Sequence, residues 1–154
     1  VETEMYPSMR HAAFGATGRR TGGYSIADGI SVKSPGQRTL AVVKEHVTRV
    51  DIVREDEIEN AIHMLAEIEK QVVEGAGAVA LAAVISNRDA FAGKRTGLII
   101  SGGNIDTRLL ASVLMREVRT AGSARRTDQR PARQPRHRDR ADRRTRRQYC
   151  RGSA

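Results

Sequence analysis

Three stretches of the chain carry the clearest hydrophobic patterning. Between residues 54 and 70 apolar side chains fall at Ile58, Ala61, Ile62, Leu65 and Ile68, the spacing of a single helix face. Acids at 55, 56, 57 and 59 crowd the first turns of this predicted helix, where its dipole favours negative charge. Ala78 to Ser86 (AVALAAVIS) is small and apolar on every side, which predicts a buried helix packed closely against a sheet. Gly97-Leu98-Ile99-Ile100 is long enough for one buried strand, and Ser101-Gly102-Gly103-Asn104 breaks it. Ile105 to Met115 then places apolar residues at 105, 109, 110, 113 and 114, again at helix spacing.

Weaker signals fill the gaps. Glu2 to Met9 holds a proline and predicts a loop leading from a strand that begins before residue 1. Ser8 is a candidate cap for a short helix through Ala12-Ala13-Phe14. Ser25 to Val32 (SIADGISV) is mixed, and Ser34-Pro35-Gly36 is a turn. Thr39 to Val47 predicts a short amphipathic helix capped by Thr39, and Val50 to Val53 a strand. Val72-Val73 leads into a glycine turn, Glu74-Gly75-Ala76-Gly77, and Asn87 to Lys94 is a loop. The order β-loop-α-β-α-β-α-β-α predicts an α/β fold, a three-layer architecture on an open, mainly parallel sheet.

At 154 residues the chain suits one ordinary domain. It starts with Val and carries no signal-peptide pattern, so a fragment or a processed chain is expected. No apolar run approaches the roughly 20 residues of a membrane-spanning helix. A single cysteine, Cys150, excludes an intramolecular disulfide and fits a reducing, cytoplasmic setting. The net charge of +9 is not spread along the chain. Residues 1–116 balance 14 Lys/Arg against 14 Asp/Glu, whereas residues 117–154 set 13 Arg against four acids. The boundary between two segments of different character therefore lies near Arg116.

In open α/β sheets, ligands sit beyond the carboxyl ends of the strands. Ser101 is predicted at such an end, and the two glycines after it would let a flat ligand or a phosphate approach the backbone. The plain alternative is a strand-to-helix turn, and spacing alone does not choose between them. The glycine-rich run at 15–23 (GATGRRTGG) lacks the Gly-Lys-Ser/Thr ending of a phosphate loop, and no strand precedes it. His46 is predicted at a helix end, as a solvated residue or a ligand. The acids at 55–59 fit a charged helix start or a metal-binding cluster.

Five segments occur in one order: YPSM at 6–9, SIADGISVKSPG at 25–36, DEIENAI at 56–62, VVEGAGAVALAA at 72–83 and GLIISGGNID at 97–106. Together they resemble the C-terminal part of the catalytic domain of threonine ammonia-lyases (threonine dehydratases). These are fold-type II pyridoxal-phosphate enzymes, alongside the serine dehydratases and serine racemases. The resemblance covers about residues 1–118, which makes 119–154 a separate tail. It implies conversion of L-threonine or L-serine to 2-oxobutanoate or pyruvate and ammonia, by β-elimination that depends on pyridoxal 5'-phosphate. By the same resemblance Ser101 would hydrogen-bond the pyridine nitrogen, and Gly102, Gly103 and Asn104 would complete that side of the pocket. Glu74, Gly75 and Ala76 would line the cofactor ring. The family's anchoring lysine, its substrate-carboxylate loop and its phosphate cup lie upstream of the matching residues. Lys33, Lys44, Lys70 and Lys94 do not sit in such a lysine motif, so no catalytic residue is assigned and the chain is expected to be inactive alone. Some relatives bind a divalent cation through an acid at the place of Glu2 and another where Ser8 stands here, so no metal is assigned. The partners implied are an amino-acid substrate and, in a full-length parent, further copies of the same chain.

Residues 119–154 contain no Leu, Ile, Val, Phe or Met, so disorder is expected there. An arginine-rich arm suits nonspecific nucleic-acid binding, although the tail has no lysine and Tyr149 is its only aromatic. A third reading comes from the genetic code. Read one base later, the codons of Asp128 to Asp142 permit Ile-Ser-Asp-Arg-Pro-Gly-Ser-Leu-Ala-Thr-Val-Thr-Gly-Leu-Ile. This string resembles the opening of the regulatory ACT domain that follows the catalytic domain in many threonine ammonia-lyases. The tail is then a frameshift product. A generic nucleotide-binding domain is also conceivable from the glycine turns, but no Gly-x-Gly-x-x-Gly follows a strand.

Overall fold

A computed structural model describes residues 1–16 and 22–116 of the chain. The arginine-rich tail, with Tyr149 and Cys150, and the middle of the glycine-rich run lie outside the described residues.

The elements run β1 (Glu2–Thr3), α1 (Ser8–Phe14), a 3-10 turn (Asp28–Ile30), α2 (Gln37–His46), β2 (Ile52–Val53), α3 (Glu55–Glu67), α4 (Gly75–Ser86) and α5 (Arg88–Phe91). A last helix, α6, occupies 107–116, to the end of the described residues. β1 and β2 pair in parallel, with Glu2 opposite Ile52 and Thr3 opposite Val53. The Glu2 and Glu4 amides donate to the Asp51 and Val53 carbonyls, each at 2.9 Å.

The core is the α3–α4 pair. α3 buries Ile58, Ala61, Ile62 and Leu65, four of the five positions its periodicity selects; Ile68, beyond the helix end, is exposed. α4 buries Ala78, Val79, Ala82 and Ala83 along with Gly75 and Gly77. Val53, Val73, Ile26, Ala27 and Val113 close the cluster. Fully burying an isoleucine such as Ile58 is worth about 1.5–3 kcal/mol.

The structure corrects the expected three-layer sheet. Among the described residues the sheet has two strands, and α4 lies chiefly against α3, with β2 and the 3-10 turn beside it, instead of on a broad sheet. Residues 97–100 and 72–73 form no ladder. A strand exists only where a neighbour about 4.8 Å away takes its N–H and C=O groups. Without such a neighbour, the apolar run at 97–100 stays unpaired and Ile99 is 85% exposed.

The helix ends differ from expectation as well. Ser8 does not cap α1: its hydroxyl donates to the Val32 carbonyl at 2.5 Å. The Glu2 carboxylate takes the cap role, accepting from the Met9 and Arg10 amides at 2.7 and 2.9 Å. α2 begins at Gln37 after Gly36, which leaves Thr39 inside the helix. Gly75 to Gly77, expected as a turn, form the first turn of α4. The Glu57 carboxylate accepts from the Arg54 amide at 2.8 Å to start α3. At α6, Asp106 accepts from the Arg108 and Leu109 amides at 2.9 and 3.0 Å, a side-chain cap. The loop expected at 87–94 contains the single turn of α5.

Candidate functional site

Three segments far apart in sequence meet at the first turn of α4. Glu74 precedes the helix in extended conformation, and its amide donates to the Gly102 carbonyl at 3.3 Å. Gly77 abuts the Ser101 carbonyl so closely that any Cβ there would overlap it. Gly75 abuts the Ile26 carbonyl in the same way. The absence of side chains at 75 and 77 is what allows the 25–29 loop and the 101–104 turn to close on the helix start.

The glycine doublet has a similar cause. Gly102 has φ +77°, and a Cβ there would run into the Glu74 carboxylate. A Cβ at Gly103 would press to 2.9 Å on the Val72 carbonyl. With their backbones held this way, Ser101 and Asn104 are exposed. Neither side chain makes a hydrogen bond among the described residues, so the Ser101 hydroxyl and the Asn104 amide are open to a ligand.

A cavity of about 170 Å³ lies where the three segments meet. Tyr24, Ser25, Ile26 and Asp28 form one wall, Glu74 and Gly75 a second, and Asn104, Ile105, Asp106 and Leu109 a third. Pockets that enclose a small molecule start at roughly 300 Å³, so this cavity alone is too small to enclose one. Of the residues expected at the site, Glu74, Gly75 and Asn104 line the cavity, and Ser101, Gly102 and Gly103 form the adjoining turn. Ala76 turns elsewhere: it faces Gly29, where an added Cβ would come within 3.2 Å of it. Sequence reasoning missed Tyr24, Asp28 and Asp106 as wall residues. The signal for Asp28 lay in the SIAD motif, whereas nothing in the pattern marked Tyr24.

Glu55 stands in the acidic first turn of α3, as its position suggested, and it also reaches beyond the helix. Its carboxylate accepts from the Thr3 hydroxyl at 2.6 Å, the Ser25 hydroxyl at 2.7 Å and the Ile26 amide at 2.8 Å. Among the described residues no group of three His, Cys, Asp or Glu side chains is arranged to hold a metal ion. The next acid, Asp56, pairs with the Arg54 guanidinium at 2.6 Å. This hydrogen-bonded pair holds the Asp56 carboxyl below its ordinary range and the guanidinium above its own. It lies apart from the cavity. His46 ends α2, exposed and 3.7 Å from Glu45. A larger hollow of about 390 Å³, between α1 and α2, contains none of the expected site residues.

The start of α4 is thus bared by glycines against the Ile26 and Ser101 carbonyls. Comparison with known proteins gives the chain a family. Residues 1–102 match the family described as "Pyridoxal-phosphate dependent enzyme", and the chain belongs to it. It is 44% identical over 115 residues to the L-threonine ammonia-lyase of Thermotoga maritima, covering 74% of this chain and 28% of the relative. The catabolic L-threonine dehydratase TdcB of Escherichia coli K12 is 40% identical over 105 residues, 67% of this chain and 31% of the relative. Among solved structures, maize serine racemase matches with a TM-score of 0.60 at 28% identity, over 79% of this chain and 38% of that one. The T.th. threonine deaminase matches with a TM-score of 0.59 at 33% identity, over 68% and 39% of the two chains. The chain thus spans less than a third of the length of these two curated relatives.

Proposed function

We propose that this chain forms the ring-nitrogen side of the pyridoxal 5'-phosphate site of a threonine ammonia-lyase. The observation that supports it most is the meeting of the 25–29, 74–77 and 101–104 segments around bare backbone, with the Ser101 hydroxyl left open. Ser101 would donate its hydroxyl to the pyridine nitrogen, with Gly102, Gly103 and Asn104 beside it. Glu74 and Gly75 would line the ring, and Ala76 would support them from behind through Gly29. When bound, the cofactor supplies the electron sink for β-elimination of water from L-threonine or L-serine, giving 2-oxobutanoate or pyruvate and ammonia. A neutral hydroxyl at the nitrogen tempers that sink, which suits elimination.

No lysine serves this site from within the described residues. Lys33, Lys44, Lys70 and Lys94 are all exposed, and none of them lines the cavity. Lys70 and Lys94 cap helix ends, donating to the Glu67 and Ala90 carbonyls at 2.5 and 2.7 Å. The chain alone is therefore expected to lack dehydratase activity. Incubating it with pyridoxal phosphate and L-threonine should give no 2-oxobutanoate above the cofactor's own background, and turnover beyond that background overturns the reading. A full-length parent would be a cytoplasmic homo-oligomer. Residues 1–118 would be the C-terminal part of its catalytic domain and the arginine-rich tail the start of a regulatory domain read out of frame. The nucleotide sequence tests the tail: an early stop or unrelated residues in the shifted frame end that idea.

A further inference from the structure

We infer that Glu55, which does not line the cavity, is the residue that positions the cavity's 24–28 wall against the start of α4. Thr3 and Ser25 are buried polar side chains, and such groups need partners inside the protein. Glu55 supplies them, taking both hydroxyls on one carboxylate oxygen and the Ile26 amide on the other. The Ser25 hydroxyl in turn accepts from the Ala27 amide at 3.1 Å. β1, α3 and the 25–27 loop are thereby tied to one carboxylate. The next residue along the tie is Ile26, whose carbonyl lies against Gly75. The position of Tyr24, Ser25, Ile26 and Asp28 relative to Glu74 and Gly75 follows from that tie. Its neighbours at the helix start act locally: Asp56 pairs with Arg54, and Glu57 accepts from the Arg54 amide. Only Glu55, of the acids at 55–57, reaches the wall. This makes it a positioning residue, and its bearing on the cofactor rests on the function proposed above.

The test uses the full chain with Glu55→Gln, which keeps the side-chain length but leaves one acceptor oxygen for three donors. Glu57→Gln removes a charge from the same helix turn without touching the wall and serves as the control. The first readout is amide hydrogen exchange. Loss of a charged acceptor should speed exchange at Ile26 and Ala27 by about tenfold in Glu55→Gln. Glu57→Gln should leave both unchanged, and α4 amides at 79–83 should hold in both variants. Unchanged exchange at Ile26 and Ala27, or uniform acceleration across α4, overturns the inference. Should Glu55→Gln fail to fold, Ser25→Ala removes one donor to Glu55 together with the acceptor of the Ala27 amide; faster exchange at Ile26 as well as Ala27 upholds the tie, and faster exchange at Ala27 alone overturns it. The second readout exploits the lack of tryptophan in the chain. Tyr24→Trp places one fluorophore on the wall, and pyridoxal phosphate should quench it. Adding Glu55→Gln to that background should weaken the apparent affinity by about tenfold, while adding Glu57→Gln should not. Equal quenching in both overturns the inference. No quenching in the Tyr24→Trp parent, with the exchange pattern as expected, upholds the positioning role and removes its bearing on the cofactor within this chain.

Discussion

The α3–α4 pair and the segment at 97–104 have comparable apolar content at their centres but opposite fates. Ile58 and Ile62 are fully buried, whereas Ile99 is 85% exposed. The difference is not in the residues. Two helices satisfy their own backbone and need only lay one apolar face on another. An extended segment must also find partners for its N–H and C=O groups. The first pair packs within this chain, and the second segment is held near its glycine end, through the Gly102 carbonyl and the Glu74 amide and through Ile100, partly buried against the core. Hydrophobicity therefore located both regions, and the presence of a partner decided which one became core.

The largest effect that could break this contrast is a cavity in the helix pair. Ile62→Ala should cost about 2–5 kcal/mol in urea unfolding, while Ile99→Ala should stay within about 0.5 kcal/mol. Similar values for the two would mean that the 97–100 segment is packed in solution. A middle-sized effect separates glycines that are approached from those that are not. Gly77→Ala meets the Ser101 carbonyl and should cost about 1–3 kcal/mol. Gly97 has nothing within 4 Å of a Cβ, and Gly97→Ala should be neutral or stabilising by about 0.5 kcal/mol. The smallest effect concerns acid pH. Asp56 is held below its ordinary value, first by its hydrogen bond to Arg54. A depressed carboxyl contributes stability above its unfolded value and loses it as pH falls through the folded one. Asp56→Asn should slightly lower the neutral-pH melting temperature and leave the variant and parent alike at the acid end. A difference that persists below that range would assign the effect to something other than this carboxyl.

Much of the helical framework was legible because helices declare themselves locally. The 3.6-residue period picked out the buried face of α3, and the absence of any polar side on 78–86 predicted the burial of α4. Where the outcome depended on distant groups, the pattern gave no purchase. Glu55 looks like any acid at a helix start until Thr3 and Ser25, 52 and 30 residues away, come to share its carboxylate. The cap of α1 was assigned to the adjacent Ser8, yet Glu2 performs it across a bend. Likewise the strand expected at 97–100 required a neighbour that a one-chain pattern cannot supply. At the candidate site the sequence marked glycines where backbones come close, but it put Gly75 and Gly77 in a turn instead of a helix start and did not show which carbonyl each glycine admits.

Gly75 and Gly77 stand two residues apart at the start of one helix. Successive side chains on a helix turn by roughly 100°, so these positions face almost opposite ways. One admits the Ile26 backbone and the other the Ser101 backbone. The first turn of α4 therefore serves as a spacer one bare backbone thick, and it sets the gap between two facing strips of main chain. A spacer of this kind cannot be thickened on one side without being pushed toward the other. The separation of those two strips is thus a property of peptide geometry, fixed by the thickness of a helix turn without side chains.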